Sequence, residues 1–94
     1  MSKYIIISRL TDEGGKTLKK NASRIKEMNE ELKNMGVKVI EQYAVLGNFD
    51  FLNIVEAQNE TIMAKAVIEL ASRGTIRTET YMAIPIDEFI NSMG

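Results

Sequence analysis

The chain has no cysteine, no histidine and no tryptophan, a single proline, and no apolar run of transmembrane length. Lack of cysteine excludes disulfides, thiolate nucleophiles, iron–sulfur clusters and cysteine zinc sites. Lack of histidine removes the commonest general base and transition-metal ligand, so no side chain titrates near neutrality at its ordinary pKa. Any catalysis would need a perturbed carboxylate, tyrosine or lysine, or a reactive cofactor, and the expectation is that no cofactor or metal is bound. A charge excess is missing too. Twelve Lys and Arg against 13 Asp and Glu leave a net charge of -1, which gives no bulk attraction to nucleic acid or to an anionic membrane. The apolar run in Met1–Arg9 is too short for a secretory signal, so a cytoplasmic protein is expected.

What the chain does have is ordinary for a globular fold: 94 residues, 45% apolar and 27% charged. Residues 1–94 read as one small domain, which alone would bury only about 60 to 65% of the surface its unfolded form exposes. Cover from a partner would therefore matter to it.

The clearest local signal is Gly47-Asn48-Phe49-Asp50, which joins two β-patterned segments. Gly-Asn between apolar runs predicts a tight two-residue hairpin turn, because glycine reaches positive φ freely and asparagine tolerates it. Before it, residues 3–10 form a strand that is apolar on both alternating faces through Tyr4-Ile5-Ile6-Ile7. Thr11-Asp12-Glu13 caps a helix expected over 12–35, with the stripe Leu18, Ala22, Ile25, Met28, Leu32, Met35. Gly14-Gly15 and Asn21-Ala22-Ser23 are weak helix formers that predict irregularity in its early turns. Gly36 ends it, and a second strand runs over 37–46.

After the turn, a third strand over 49–56 is again apolar on both faces. Asn59 caps a helix over 60–72 with the stripe Met63, Ala66, Val67, Leu70, Ala71, closed by Gly74. A fourth strand over 75–84 stops at Pro85, and Ile86–Ile90 makes one further helical turn.

The order β-α-β-β-α-β predicts the α+β class: a ferredoxin-like βαββαβ sandwich with an antiparallel sheet. In that fold strands 1 and 3 are central and both helices cover one face. Strands covered on one side only should alternate apolar with polar, yet strands 1 and 3 are oily on both sides. Burying even 500 Å² of such surface is worth roughly 12 kcal/mol before association costs. The expectation is a homodimer with sheets packed face to face, a dimeric α+β barrel.

The motifs together resemble the GYD domain family, named for a Gly-x-Tyr-Asp hairpin. The likeness rests on Gly47-Asn48-Phe49-Asp50, Glu56-Ala57, Gly74 with Arg77-Thr78-Glu79-Thr80, and more loosely Gly14 and Arg24, with Phe49 at the tyrosine position. The resemblance implies a ferredoxin-like, dimeric α+β barrel and brings no assigned activity.

Candidate ligand-binding residues are Tyr43, Asp50, Arg77 and Glu79. Asp50 follows the turn, where an aspartate either faces a pocket or accepts bonds from loop amides. Arg77 and Glu79, two apart on a strand, share a face with Tyr81; edge strands also use such charges to block stray pairing. Tyr43 sits on the other edge strand as a ligand hydroxyl or a packing residue. Lys16, Lys19, Lys20 and Arg24 form a basic helix side cancelled by Glu27, Glu30 and Glu31. Tyr4, Phe49 and Phe51 mimic the aromatics of RNA-recognition domains, but Asp50 stands between the latter pair where phosphates would approach, so no nucleic acid is expected. The leading expectation is a homodimer that binds a small molecule, with no membrane partner. The alternatives are a cofactor-independent monooxygenase or isomerase on the same barrel, acting through Tyr43, Asp50, Arg77 and Glu79, and an assembly module without a pocket.

Overall fold

Alternation of the strand residues decides which side chains meet the helices, and the computed structural model, which describes residues 1–94, shows the outcome. The elements are β1 (Ser2–Leu10), α1 (Asp12–Lys20), α2 (Arg24–Asn34), β2 (Val37–Ala44), β3 (Phe51–Ala57), α3 (Glu60–Ala71), β4 (Ile76–Ala83) and α4 (Ile86–Met93). The sheet is antiparallel in the order β2-β3-β1-β4. This is the ferredoxin-like arrangement, with the two strands of continuous apolar sequence at its centre.

Tyr4 and Ile6 of β1 turn toward the helices and are buried with Val37, Val55, Ala57 and Ile76 of the other strands. Leu32 of α2 and Met63, Ala66 and Leu70 of α3 close this core from above, with Met28 and Met35 packed at its margin. Ile5 and Ile7 therefore face the other way. They lie beside Ile54 and Leu52 of β3 in register, all four half-buried with no helix over them.

Three local expectations are corrected. The helix expected over 12–35 is two helices, because Asn21 leaves helical geometry at φ −152°, ψ 89° and its Oδ1 accepts bonds from the Ser23 amide and hydroxyl. Such a turn satisfies polar groups locally and competes with helix continuation. The two-residue hairpin is a longer loop over 45–50, closed by the Val45 amide donating to the Asp50 carbonyl at 2.8 Å, so β2 ends at Ala44 and β3 begins at Phe51. The single turn after Pro85 extends to α4, none of whose residues is buried.

At the start of α1, Thr11 Oγ1 accepts from the Gly14 amide at 3.1 Å and donates to the Gly74 carbonyl at 2.8 Å. The Thr11 amide donates to the Thr75 carbonyl at 3.0 Å. A Cβ on Gly14 would stand 2.0 Å from that same Thr75 oxygen, so the approach of α1 to the β4 entry requires glycine.

β2 carries a bulge. Val39 pairs with Val55 and Glu41 with Ile54, leaving Ile40 unpaired. Before the bulge odd-numbered residues face the helices; after it Gln42 does, and exchanges two amide hydrogen bonds with Asn29 of α2 at 2.8 and 3.1 Å.

Candidate functional site

The four residues singled out by sequence do not converge. Asp50 belongs to the hairpin anchor. Its amide donates to the Ser8 carbonyl at 2.8 Å, and its Oδ2 accepts from the Leu10 amide at 2.8 Å, replacing the ladder bond that β3 no longer supplies to β1. Arg9, which sequence reasoning passed over, completes this anchor: Nε donates to the Asn48 carbonyl at 2.8 Å and Nη1 pairs with Glu79 at 2.7 Å. A lone arginine at the end of an apolar strand was the available signal.

Tyr43, Arg77 and Glu79 lie on the open face, with Tyr43 on one edge strand and the other two on the opposite edge. Three strand spacings, about 14 Å, separate the edges. Register makes two rows across this face, Tyr43–Leu52–Ile7–Glu79 and Glu41–Ile54–Ile5–Tyr81. A half-turn about the sheet normal exchanges Tyr43 with Tyr81, Glu41 with Glu79 and the aliphatic pairs with each other. The face thus has an aliphatic centre and two matching Tyr–Glu rims, in which the Tyr43 hydroxyl donates to Glu41 and the Tyr81 hydroxyl to Glu79, the latter at 2.6 Å.

The rims shift protonation in consistent directions. The Tyr81 hydrogen bond, and then the Arg9 guanidinium, hold the Glu79 carboxyl below its ordinary range. Hydrogen bonding to Glu79 and then its charge push the Tyr81 hydroxyl up, and Glu41 does the same to Tyr43. Both tyrosines grip their protons and Glu79 is a weaker base than usual, so none of the three is tuned for proton transfer near neutrality. Arg77 makes no ion pair and stands opposite Arg9 in register.

On the helix side, a cavity of about 280 Å³ opens between α1, α2 and the sheet. Leu18, Ile25, Met28 and Leu32 line it from the helices, Ile6 and Phe51 from the strands. Ser8 and Asn53 are polar points on its floor, and Arg24, Glu31 and Arg73 stand among its lining residues. Asn53 Oδ1 is buried without a hydrogen-bond partner. Its signal in the sequence was a single amide amid the apolar run Leu52-Asn53-Ile54-Val55. Tyr4 and Phe51 also turn to the helix side, so the aromatics that mimicked an RNA-stacking face are not on the open face. No group of three His, Cys, Asp or Glu side chains assembles a metal cage.

The family model described as GYD domain matches residues 4–93. The chain belongs to the GYD domain family. A relative from Thermus thermophilus, described as "Glutamine synthetase and cystathionine beta-lyase binding protein", is 50% identical over 91 residues, covering 96% of each chain. Among solved structures, MtbAldR superposes with a TM-score of 0.65 at 16% identity over 89% of this chain, which spans 52% of that one. TTHA0845, also from Thermus thermophilus, superposes with a TM-score of 0.59 at 21% identity, covering 90% of this chain and 95% of that one. These two likenesses establish the shared fold.

Proposed function

We propose that this GYD protein is a homodimeric binding protein that docks onto enzymes of nitrogen and sulfur amino-acid metabolism and takes up a small molecule. The observation that carries the proposal is the 50% identity, spread over 96% of both chains, to a protein described as binding glutamine synthetase and cystathionine beta-lyase. Two uncovered apolar surfaces support it. One is the open face centred on Ile5, Ile7, Leu52 and Ile54. The other is α4, where Ile86, Phe89, Ile90 and Met93 recur at helical spacing, with Phe89 47% and Met93 74% exposed.

The open face suits a second copy. An isologous face-to-face contact with its two-fold axis along the strands lays the β2 rim of one protomer on the β4 rim of the other, sets Tyr43 across from Glu79 and Glu41 across from Tyr81, and removes the aliphatic centre from water. The stripe on α4 suits the enzyme, since an amphipathic helix laid into a groove presents anchors at this spacing.

Light scattering and retention on immobilised glutamine synthetase test the two surfaces separately. The wild type should have dimer mass at tens of micromolar and be retained. Ile7→Lys with Ile54→Lys should give monomer mass, and Phe89→Asp should keep dimer mass and lose retention. A monomeric wild type that glutamine synthetase and cystathionine beta-lyase both fail to retain would sink the proposal.

A further inference from the structure

We infer that the helix-side cavity, not the open sheet face, is the small-molecule site. Its ligand is a one-ring-sized molecule with a hydroxyl or amide N–H at one end and a carboxylate at the other. The inference deepens the small-molecule part of the function proposed above and is independent of which enzyme docks.

Three observations define the ligand. At about 280 Å³ the cavity is at the small end of ligand pockets, which run from roughly 300 to 1,000 Å³, and its wall is mainly aliphatic with Phe51, so the body of the ligand is small and apolar. The floor asks for a donor. Gln42 is satisfied by its two bonds to Asn29, whereas neighbouring Asn53, beside it in register, leaves Oδ1 buried and unpaired. A carboxylate accepts only and does not satisfy an amide oxygen; a hydroxyl or N–H does. An unmade bond there is costly, so a ligand that makes it gains more than one placed in water.

The opposite polarity stands with the arginines. Arg24 lines the cavity and touches Glu27 only through Nε at 3.4 Å, longer than a charge-assisted hydrogen bond, so its two terminal nitrogens are free to fork onto a carboxylate. Arg73 is bound to Glu31, and this pair adds no net charge. Arg24 is thus the cation available to a ligand anion. The cavity has both a cationic lining residue and an unmet acceptor beside an apolar wall, whereas the open face, which carries Lys3, Lys38, Glu56 and Arg77 outside any ion pair, has its aliphatic centre on a strand surface rather than in a cavity.

The test uses two probes that differ by one hydroxyl, para-hydroxyphenylpropanoate and phenylpropanoate, titrated into isotope-labelled full-length protein and followed by amide chemical shifts. Perturbations are expected at α2, Ser8 and Asn53, with the hydroxylated probe binding about tenfold more tightly. Asn53→Ala should remove that preference and bring the two affinities together, and Arg24→Ala should weaken both probes equally. Melting curves establish that each variant folds; if Asn53→Ala does not, Asn53→Leu, which keeps the branched shape and has no acceptor, should remove the same preference. Perturbations centred on Ile5, Ile7 and Leu52, no perturbation at millimolar probe, or equal affinities in the wild type would each overturn the inference. Because the readout requires neither dimer nor enzyme, a failure here leaves the enzyme-binding proposal to stand or fall on its own retention assay.

Discussion

The two faces of this sheet are built from the same two central strands and meet different fates. Tyr4 and Ile6 lie under α2 and α3 in a closed core, whereas Ile5 and Ile7, their immediate neighbours, lie under nothing the chain itself provides. On the covered side Gln42 and Asn29 are matched across the sheet–helix boundary, while Asn53 Oδ1 and the Tyr4 and Thr80 hydroxyls are buried without partners. On the open side, Ile5, Ile7, Leu52 and Ile54 make an aliphatic centre bordered by the Tyr–Glu rims on the edge strands and by Arg9, Lys3 and Glu56 toward the strand ends. The homodimer proposed above accounts for this contrast, with a second copy over the aliphatic centre and the Tyr–Glu rims at the border of the contact.

The contrast breaks most severely at the roof. Gly14→Ala should cost about 3 kcal/mol or more in denaturant unfolding, because the new methyl collides with the Thr75 carbonyl and α1 is pushed off the sheet. Next comes a direct comparison of the faces. Ile6→Ala should cost about 3 kcal/mol at any protein concentration, and Ile7→Ala under about 1 kcal/mol in dilute protein with a penalty that grows as concentration rises. Equal, concentration-independent losses for the two would erase the distinction between the faces.

Smaller effects sharpen it. Asp50→Ala, which strips the Leu10 amide of its acceptor, should lower stability by about 1 to 2 kcal/mol, while Arg77→Ala on the open face should change the melting of the monomer hardly at all. The smallest effect is the pH response of the β4 rim. Glu79 has a depressed pKa, so its contribution is present above the ordinary carboxylate range and is lost as pH falls through the lower folded value. Tyr81 has a raised pKa, so its contribution is present below the ordinary tyrosine range and is lost as pH rises through the higher folded value. Both side chains are exposed, so the response should appear in the side-chain titration of the wild type and vanish in Glu79→Gln, with little movement of the melting temperature.

The strand order, the central placement of the two apolar strands and the second helix were legible because they depend on periodicity and caps, which are local. Thr11 and Asn59 cap their helices as their positions imply, accepting from Gly14 and Ile62 amides. The candidate site was read less well, for reasons of register. Arg77, Glu79 and Tyr81 do share a face, but pairing puts Tyr43 on the far edge and draws Asp50 into backbone contacts with β1. Arg9 was missed because its significance comes from two partners 39 and 70 residues away. The cavity was missed because it forms where Asn21-Ala22-Ser23 divides one expected helix into two, a departure that the weak helix formers signalled without indicating the space beneath.

The unpaired Ile40 acts on β2 as a half-step does on a zip. Were it to claim Ile54 as its own partner, every side chain beyond it would exchange sides, turning Tyr43 inward toward α2 and throwing Gln42 out to the solvent. The bond to Asn29 and one entire rim of the symmetric face would disappear together. A slip of one residue is thereby able to disable both sides of the molecule at once, whereas excising Ile40 would leave Gln42 and Tyr43 where they are on a straighter strand.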